Sequence, residues 1–200
     1  MKINENLILN EESLSEKIRK GSPGLFPTDT LPALGIKPEY SEQLWQIKQR
    51  PLKKPLILMG DSIDDLFQDV LPCAIDDALL VAEKYWPGAL TIVLPVSGFL
   101  VKALNKNEST LGLRIPDLKK ARNLLSLTGP LATTSANLSG CSSLQTVHDL
   151  ASVFPEVPLL GPLPWPTQSN IASTVIYWQG KGNWKVLRLG GIIPEIGLEK

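Results

Sequence analysis

Short apolar runs recur along this chain between longer stretches of helical spacing, and that alternation confines it to an α/β fold built on a twisted sheet. Residues 24–27, 55–59, 90–94, 111–115, 173–178 and 184–189 read as strands. Helices are expected over 11–20, stopped by Gly21, and over 40–48, where Leu44 and Ile47 share a face and Pro51 closes the segment. A longer helix is expected over 75–86, with Asp76 and Asp77 at its positive end and Leu79, Leu80 and Ala82 as its apolar face. Asp117 reads as the cap of another, with Leu124 and Leu125 inward and Gly129 as the stop, and a short one is expected near 146–153. The last two strands are close in sequence, which favours antiparallel pairing and a mixed parallel/antiparallel sheet with flanking helices. Residues 155–170 are proline-rich and irregular.

With 200 residues, 43% of them hydrophobic, the chain is long enough for one good core, so a single domain over 1–200 is expected. Twenty Lys and Arg balance twenty Asp and Glu. A globally basic nucleic-acid binder is not indicated, and any anion site must come from local clustering. Two distant cysteines, Cys73 and Cys141, and one histidine, His148, argue against a disulfide framework and a Cys- or His-based metal site. They fit a cytoplasmic protein, with His148 on a helix surface. Met1 to Asn10 reads as neither signal peptide nor membrane span, and no apolar run is long enough to cross a bilayer.

Walker A, GxGxxG, HExxH and GxSxG sequences are absent. Gly180-Lys181 is followed by Gly182 rather than Ser or Thr. Four local clusters could carry chemistry instead. Lys48, Arg50, Lys53 and Lys54 are interrupted by no acid, and Pro51 and Pro55 favour an extended course that would turn Lys48 and Arg50 toward one phosphate. A solvated basic loop accounts for the charges equally well. Thr133-Thr134-Ser135-Ala136-Asn137 follows an apolar strand as a polar turn, fit either to hold anionic oxygens or to cap its own backbone. Thr28-Asp29-Thr30 sits where a strand ends, the usual ligand edge of an α/β sheet and also a common turn. Arg114 and Arg188 stand alone in apolar runs, and each would need an anionic partner if buried.

The segments PTDTLPALG (27–35), KQRPLKKPL (48–56), YWPGALTIVL (85–94), LGLRIPD (111–117), GPLATTSANLSG (129–140), STVI (173–176) and VLRLG (186–190) resemble, in type and order, the YrdC-like threonylcarbamoyl-AMP synthase family. The resemblance spans about residues 9–193, nearly the whole chain, and looks like the short, single-domain type. It implies a twisted mixed sheet with a concave cationic groove. The implied reaction combines ATP, L-threonine and bicarbonate into threonylcarbamoyl-AMP and pyrophosphate, with Mg²⁺ carried by ATP and no organic cofactor. Separate transfer proteins would then pass the group to a tRNA adenosine. By motif, Lys48, Arg50, Ser135 and Asn137 resemble the catalytic set. Lys54, Thr110, Ser143 and Arg188 resemble further ATP contacts. Thr30, Met59, Arg114, Thr133 and Thr174 resemble the threonine side, with Arg114 suited to a carboxylate. Asp29 is a possible base but equally a turn residue. Three positions depart from the pattern: Pro32-Ala33 stands for a Tyr-Gly pair, Met59 for a His found in some members, and Tyr177 for an Asp. A non-catalytic RNA-binding module, in direct contact with RNA or tRNA, is the alternative.

Overall fold

The structure is a computed structural model that describes residues 4–196, apart from 50, 53, 107, 139, 141–143 and 145, together with the backbone of 198–199. In chain order its strands are β1 Ile8–Leu9, β2 Gly24–Phe26, β3 Ala33–Ile36, β4 Ile57–Met59, β5 Leu90–Pro95, β6 Thr110–Arg114, β7 Leu131–Ser135, β8 Leu159–Leu160, β9 Thr174–Gly180, β10 Asn183–Arg188 and β11 Leu198–Glu199. Its α-helices are α1 Glu11–Arg19, α2 Glu42–Ile47, α3 Ile63–Phe67, α4 Pro72–Tyr85, α5 Gly98–Leu104, α6 Lys119–Thr128 and α7 Val147–Val153. All these strands join one sheet in the order β1-β8-β2-β3-β7-β4-β6-β5-β9-β10-β11. Pairing is mixed: β2–β3, β3–β7, β4–β7, β5–β6 and β9–β10 are antiparallel, whereas β4–β6 and β5–β9 are parallel.

The twofold alternation of side chains along each strand divides the sheet into two faces. Leu34, Leu58, Ile92, Leu111, Leu113, Ala132 and Ile176 lie in the main core beside residues of α2, α4 and α5. On the other face, α1 and α6 cover Phe26, Ala33, Met59 and Leu131 with Leu14, Ile18, Leu124 and Leu125. Beyond that cover, the second face carries Thr133 and Ser135 of β7, Ile57 of β4, Gly112 and Arg114 of β6, Thr91 and Val93 of β5, and Val175 and Tyr177 of β9. These residues line cavities.

Several expectations need correction. Helix α4 begins at Pro72, which occupies the first turn, so Asp76 and Asp77 lie past the positive end. Asp77 instead accepts hydrogen bonds from Trp178 Nε1 at 2.8 Å and Gly182 N at 2.6 Å, clamping the β9–β10 hairpin. The buried face of α4 is Ala74, Ala78, Val81 and Ala82, while Leu80 is 72% exposed. Leu118, not Asp117, occupies the cap position of α6. Thr133 to Ser135 form strand rather than turn, because β7 is paired on both sides and β-branched threonines suit a pleated surface. The Gly180-Lys181-Gly182 sequence is a tight hairpin with φ of 101°, 51° and 74°, which explains its glycines without a phosphate.

Candidate functional site

The site lies on the open face of the sheet and has two adjoining cavities. The first, about 180 Å³, is enclosed by the Thr28–Ala33 segment, Ile57 and Met59 of β4, Arg114, Thr133 to Ser135, and Ala172, Ser173 and Arg188. The second, about 420 Å³, extends over Gly112, Val93, Val175 and Tyr177 to Asn105, Glu108 and Thr110 at the far end of β6. Pro55, Ile57, Ser173 and Arg188 line both.

Arg114 organises the first cavity. It is 4% exposed. Its Nη2 pairs with Asp29 Oδ1 at 2.7 Å, its Nη1 donates to Thr30 Oγ1 at 2.8 Å, and its Nε donates to Gly88 O at 3.0 Å. These bonds fix the planar fork. Asp29 Oδ1 also accepts from Asp117 N at 3.0 Å, so this carboxylate is a structural counter-ion, not a free base. Burial pulls Arg114 below the ordinary arginine range, the Asp29 charge and hydrogen bond oppose that pull, and the charge of Arg188 adds to it. Two guanidiniums therefore border one cavity, and an anionic ligand between them would relieve their mutual repulsion.

Arg188 reaches the site through an irregularity in β10. The β9–β10 register shifts between Val186 and Arg188, and both Leu187 and Arg188 line the second cavity. Arg188 donates to Ser173 O from Nε at 3.1 Å and from Nη2 at 2.9 Å. Gly190 permits the close approach behind this wall, since a Cβ there would stand 2.1 Å from Ala172 O and 2.5 Å from Ser173 C.

Lys48 departs from the expected extended course. It follows α2 with φ −87° and ψ −3°, and the next residue, Gln49, has φ 50°. Its side chain is 1% exposed. Its ammonium donates to Thr134 Oγ1 at 3.0 Å, to Ser135 O, and to Asn137 Oδ1 at 3.4 Å. Ser135 Oγ donates to the same Asn137 oxygen at 2.6 Å, and Asn137 Nδ2 donates to Leu138 O at 3.0 Å. Lysine and SxN turn, distant in sequence, thus form one hydrogen-bonded unit.

The first cavity brings together Thr30, Met59, Arg114, Thr133, Ser135 and Arg188, and the second Lys54, Thr110 and Arg188. Arg50 and Ser143 lie outside the described residues. Thr174 lines neither cavity. It is wholly buried, and its hydroxyl donates to Ile192 O and accepts from Gly190 N. Ser173, one residue earlier and on the opposite face, lines both. Alternation from Ile176 and Thr174 in the core marks that face, but the sequence alone does not say which face is open. Pro32 lines the first cavity with Met59, while Tyr177 lines the second. No group of three or more acidic, His or Cys residues suited to a metal occurs among the described residues. No helix among them is long and apolar enough to cross a membrane. His148 is exposed on α7.

Fold and site together define an α/β ligand-binding protein with a small pocket built for an anion and a larger cleft opening from it. A family model for the Sua5/YciO/YrdC domain, described as telomere recombination, matches residues 16–190, and the chain belongs to this family. A threonylcarbamoyl-AMP synthase of Pyrococcus abyssi is 34% identical over 142 residues, covering 68% of this chain and 41% of that protein. The protein of that name from Bos taurus is 31% identical over 198 residues, covering 91% of this chain and 71% of its own length. Among solved structures, P. abyssi Sua5 complexed with L-threonine superposes with a TM-score of 0.84 at 28% identity, over 94% of this chain and 58% of that one. The chain therefore spans less than two thirds of both archaeal proteins. E. coli YciO shares the fold, with a TM-score of 0.78 at 24% identity, over 90% of this chain and 88% of that one.

Proposed function

We propose that this chain is an L-threonylcarbamoyladenylate synthase, a nucleotidyltransferase. The observation that carries the reading is the shared wall of the two cavities, with Arg114 fixed at the far side of the small one and Arg188 at the junction. The small cavity suits the amino acid, its carboxylate facing Arg114 beside Thr30 and Thr133. The larger cleft suits the nucleotide, along Thr110 and Arg188. The amine of threonine combines with bicarbonate, releasing water, to give a carbamate. A carbamate oxygen then attacks the α-phosphorus of ATP, and pyrophosphate leaves. This chemistry needs positioning and charge neutralisation more than a protein base. Lys54, Arg188 and Arg50 would neutralise the triphosphate, together with Mg²⁺ carried on its oxygens. Lys48 would act beneath the turn that it holds, with Ser135 and Asn137 above. Ser143 belongs to the same ATP side by motif. Thr174 would serve the threonine side indirectly, by fixing residues 190–192 behind Ser173. The product would pass in the cytoplasm to tRNA-modifying transfer proteins. The relatives are named for the synthase reaction, so the RNA-binding alternative is not favoured.

The departures Pro32 and Met59 both lie on the amino-acid cavity, where neither supplies a hydroxyl or imidazole. A pocket that makes no strong bond to the substrate hydroxyl loses little when that hydroxyl is missing. Pyrophosphate release with ATP, Mg²⁺ and bicarbonate is therefore expected with threonine, but also with serine or another small amino acid. The Pro32→Tyr, Met59→His double variant is expected to narrow that preference. No amino-acid-dependent release would contradict the synthase reading. Sharp selection for threonine in both proteins would contradict the relaxed pocket alone.

A further inference from the structure

Glu108 is the one carboxylate among the described residues lining the two cavities. It is exposed at the end of the larger cleft, beside Thr110, whose hydroxyl donates to Glu108 Oε2 at 3.5 Å. Its place along β6 is informative. Arg114, Gly112 and Thr110 project on one face of this strand. From the first to the last is about 13 Å, four residues at about 3.3 Å each. A ligand that fixes an amino-acid carboxylate near Arg114 and runs along β6 through a carbamoyl phosphate would bring its ribose toward Thr110 and Glu108. The remaining walls of the cleft, Val93, Val175, Leu187 and the Tyr177 ring, are apolar and suit a flat base.

A carboxylate at this position is an unusual choice beside a polyphosphate. It repels phosphate and can only accept hydrogen bonds. It must therefore face the donor-bearing part of the nucleotide. The edge of adenine presents one amino group flanked by ring-nitrogen acceptors, which oppose a carboxylate. The ribose diol presents two adjacent hydroxyl donors that match two carboxylate oxygens, the same chemistry by which acidic side chains read the ribose 2′-hydroxyl in dinucleotide folds. We propose that Glu108 is a specificity-determining residue that accepts the ribose hydroxyls of the nucleotide and makes the chain selective for ribonucleotides over 2′-deoxyribonucleotides. The inference rests on the assignment of the larger cleft to the nucleotide.

The test is equilibrium binding of ATP and 2′-deoxy-ATP, each with Mg²⁺, to the unaltered protein and to Glu108→Gln and Glu108→Leu. Because Glu108 is exposed, both variants should fold, which thermal melting checks. The unaltered protein is expected to prefer ATP roughly tenfold or more, the scale of one hydrogen bond to a charged group. Glu108→Gln should narrow the preference and Glu108→Leu should abolish it, with deoxy-ATP binding unchanged or tighter. Equal binding of the two nucleotides by the unaltered protein, or a preference that survives Glu108→Leu, overturns the inference and leaves the cleft assignment standing. Failure of the unaltered protein to bind either nucleotide overturns both.

Discussion

Replacing Arg114 with alanine is expected to abolish threonine-dependent turnover and to destabilise the fold by about 3–5 kcal/mol, the usual cost of removing one partner of a buried ion pair. The Asp29 carboxylate would lose its 2.7 Å partner, and Thr30 Oγ1 and Gly88 O would lose donors. Stability and function can be separated, because the two effects have different origins. Replacing both charges, in an Asp29→Asn, Arg114→Met variant, removes the stranded carboxylate and should restore much of the stability. It should restore no threonine binding, because the fork that faces the ligand is still gone. Urea denaturation reads the first effect and calorimetry with threonine the second. A double variant that binds threonine normally would remove Arg114 from the site.

The second large effect is expected at Lys48. Lys48→Met keeps most of the buried stem but leaves Thr134 Oγ1, Ser135 O and Asn137 Oδ1 without the ammonium. Each lost hydrogen bond to a charged group is worth about 1.5–3 kcal/mol, tenfold or more in affinity. Because the lysine holds the whole SxN unit, ATP affinity should fall at least that far, and pyrophosphate release should fall further. Asn137→Ala should mimic the loss of release with a smaller change in melting temperature, since Asn137 is only partly buried. A large fall in melting temperature in both variants, with normal activity per folded molecule, would reduce the unit to a structural turn.

The α/β class and mixed sheet were legible in the sequence because each face of a strand follows a twofold rhythm. Leu111 and Leu113 face the core while Arg114 does not, as their spacing dictates. Strand β3 was not legible: Ala33–Ile36 is short, follows Pro32, and gains its place from pairing with β2 and β7, which are far apart in sequence. The start of α4 was misplaced for a related reason. Two acids suggested a helix end, but Asp77 is held by the distant β9–β10 hairpin. At the site, motifs named residues but not their partners. Nothing local to Lys48 shows that its ammonium is buried against Ser135 and Asn137, and nothing local to Arg114 names Asp29. The strand irregularity that brings Leu187 and Arg188 to one cleft breaks the very alternation by which a sequence is read. Ser173 was passed over for Thr174 because the two sit on opposite faces and only the assembled sheet shows which face is open.

The most direct measurement follows the carbon of bicarbonate. The purified protein is incubated with ATP, Mg²⁺, L-threonine and ¹³C-labelled bicarbonate, and the nucleotides are resolved by mass spectrometry. The predicted result is a new adenylate that contains both threonine and the labelled carbon, formed together with pyrophosphate and absent when either threonine or bicarbonate is withheld. Pyrophosphate or AMP without a labelled, threonine-containing adenylate, or no nucleotide turnover at all, would contradict the proposed function.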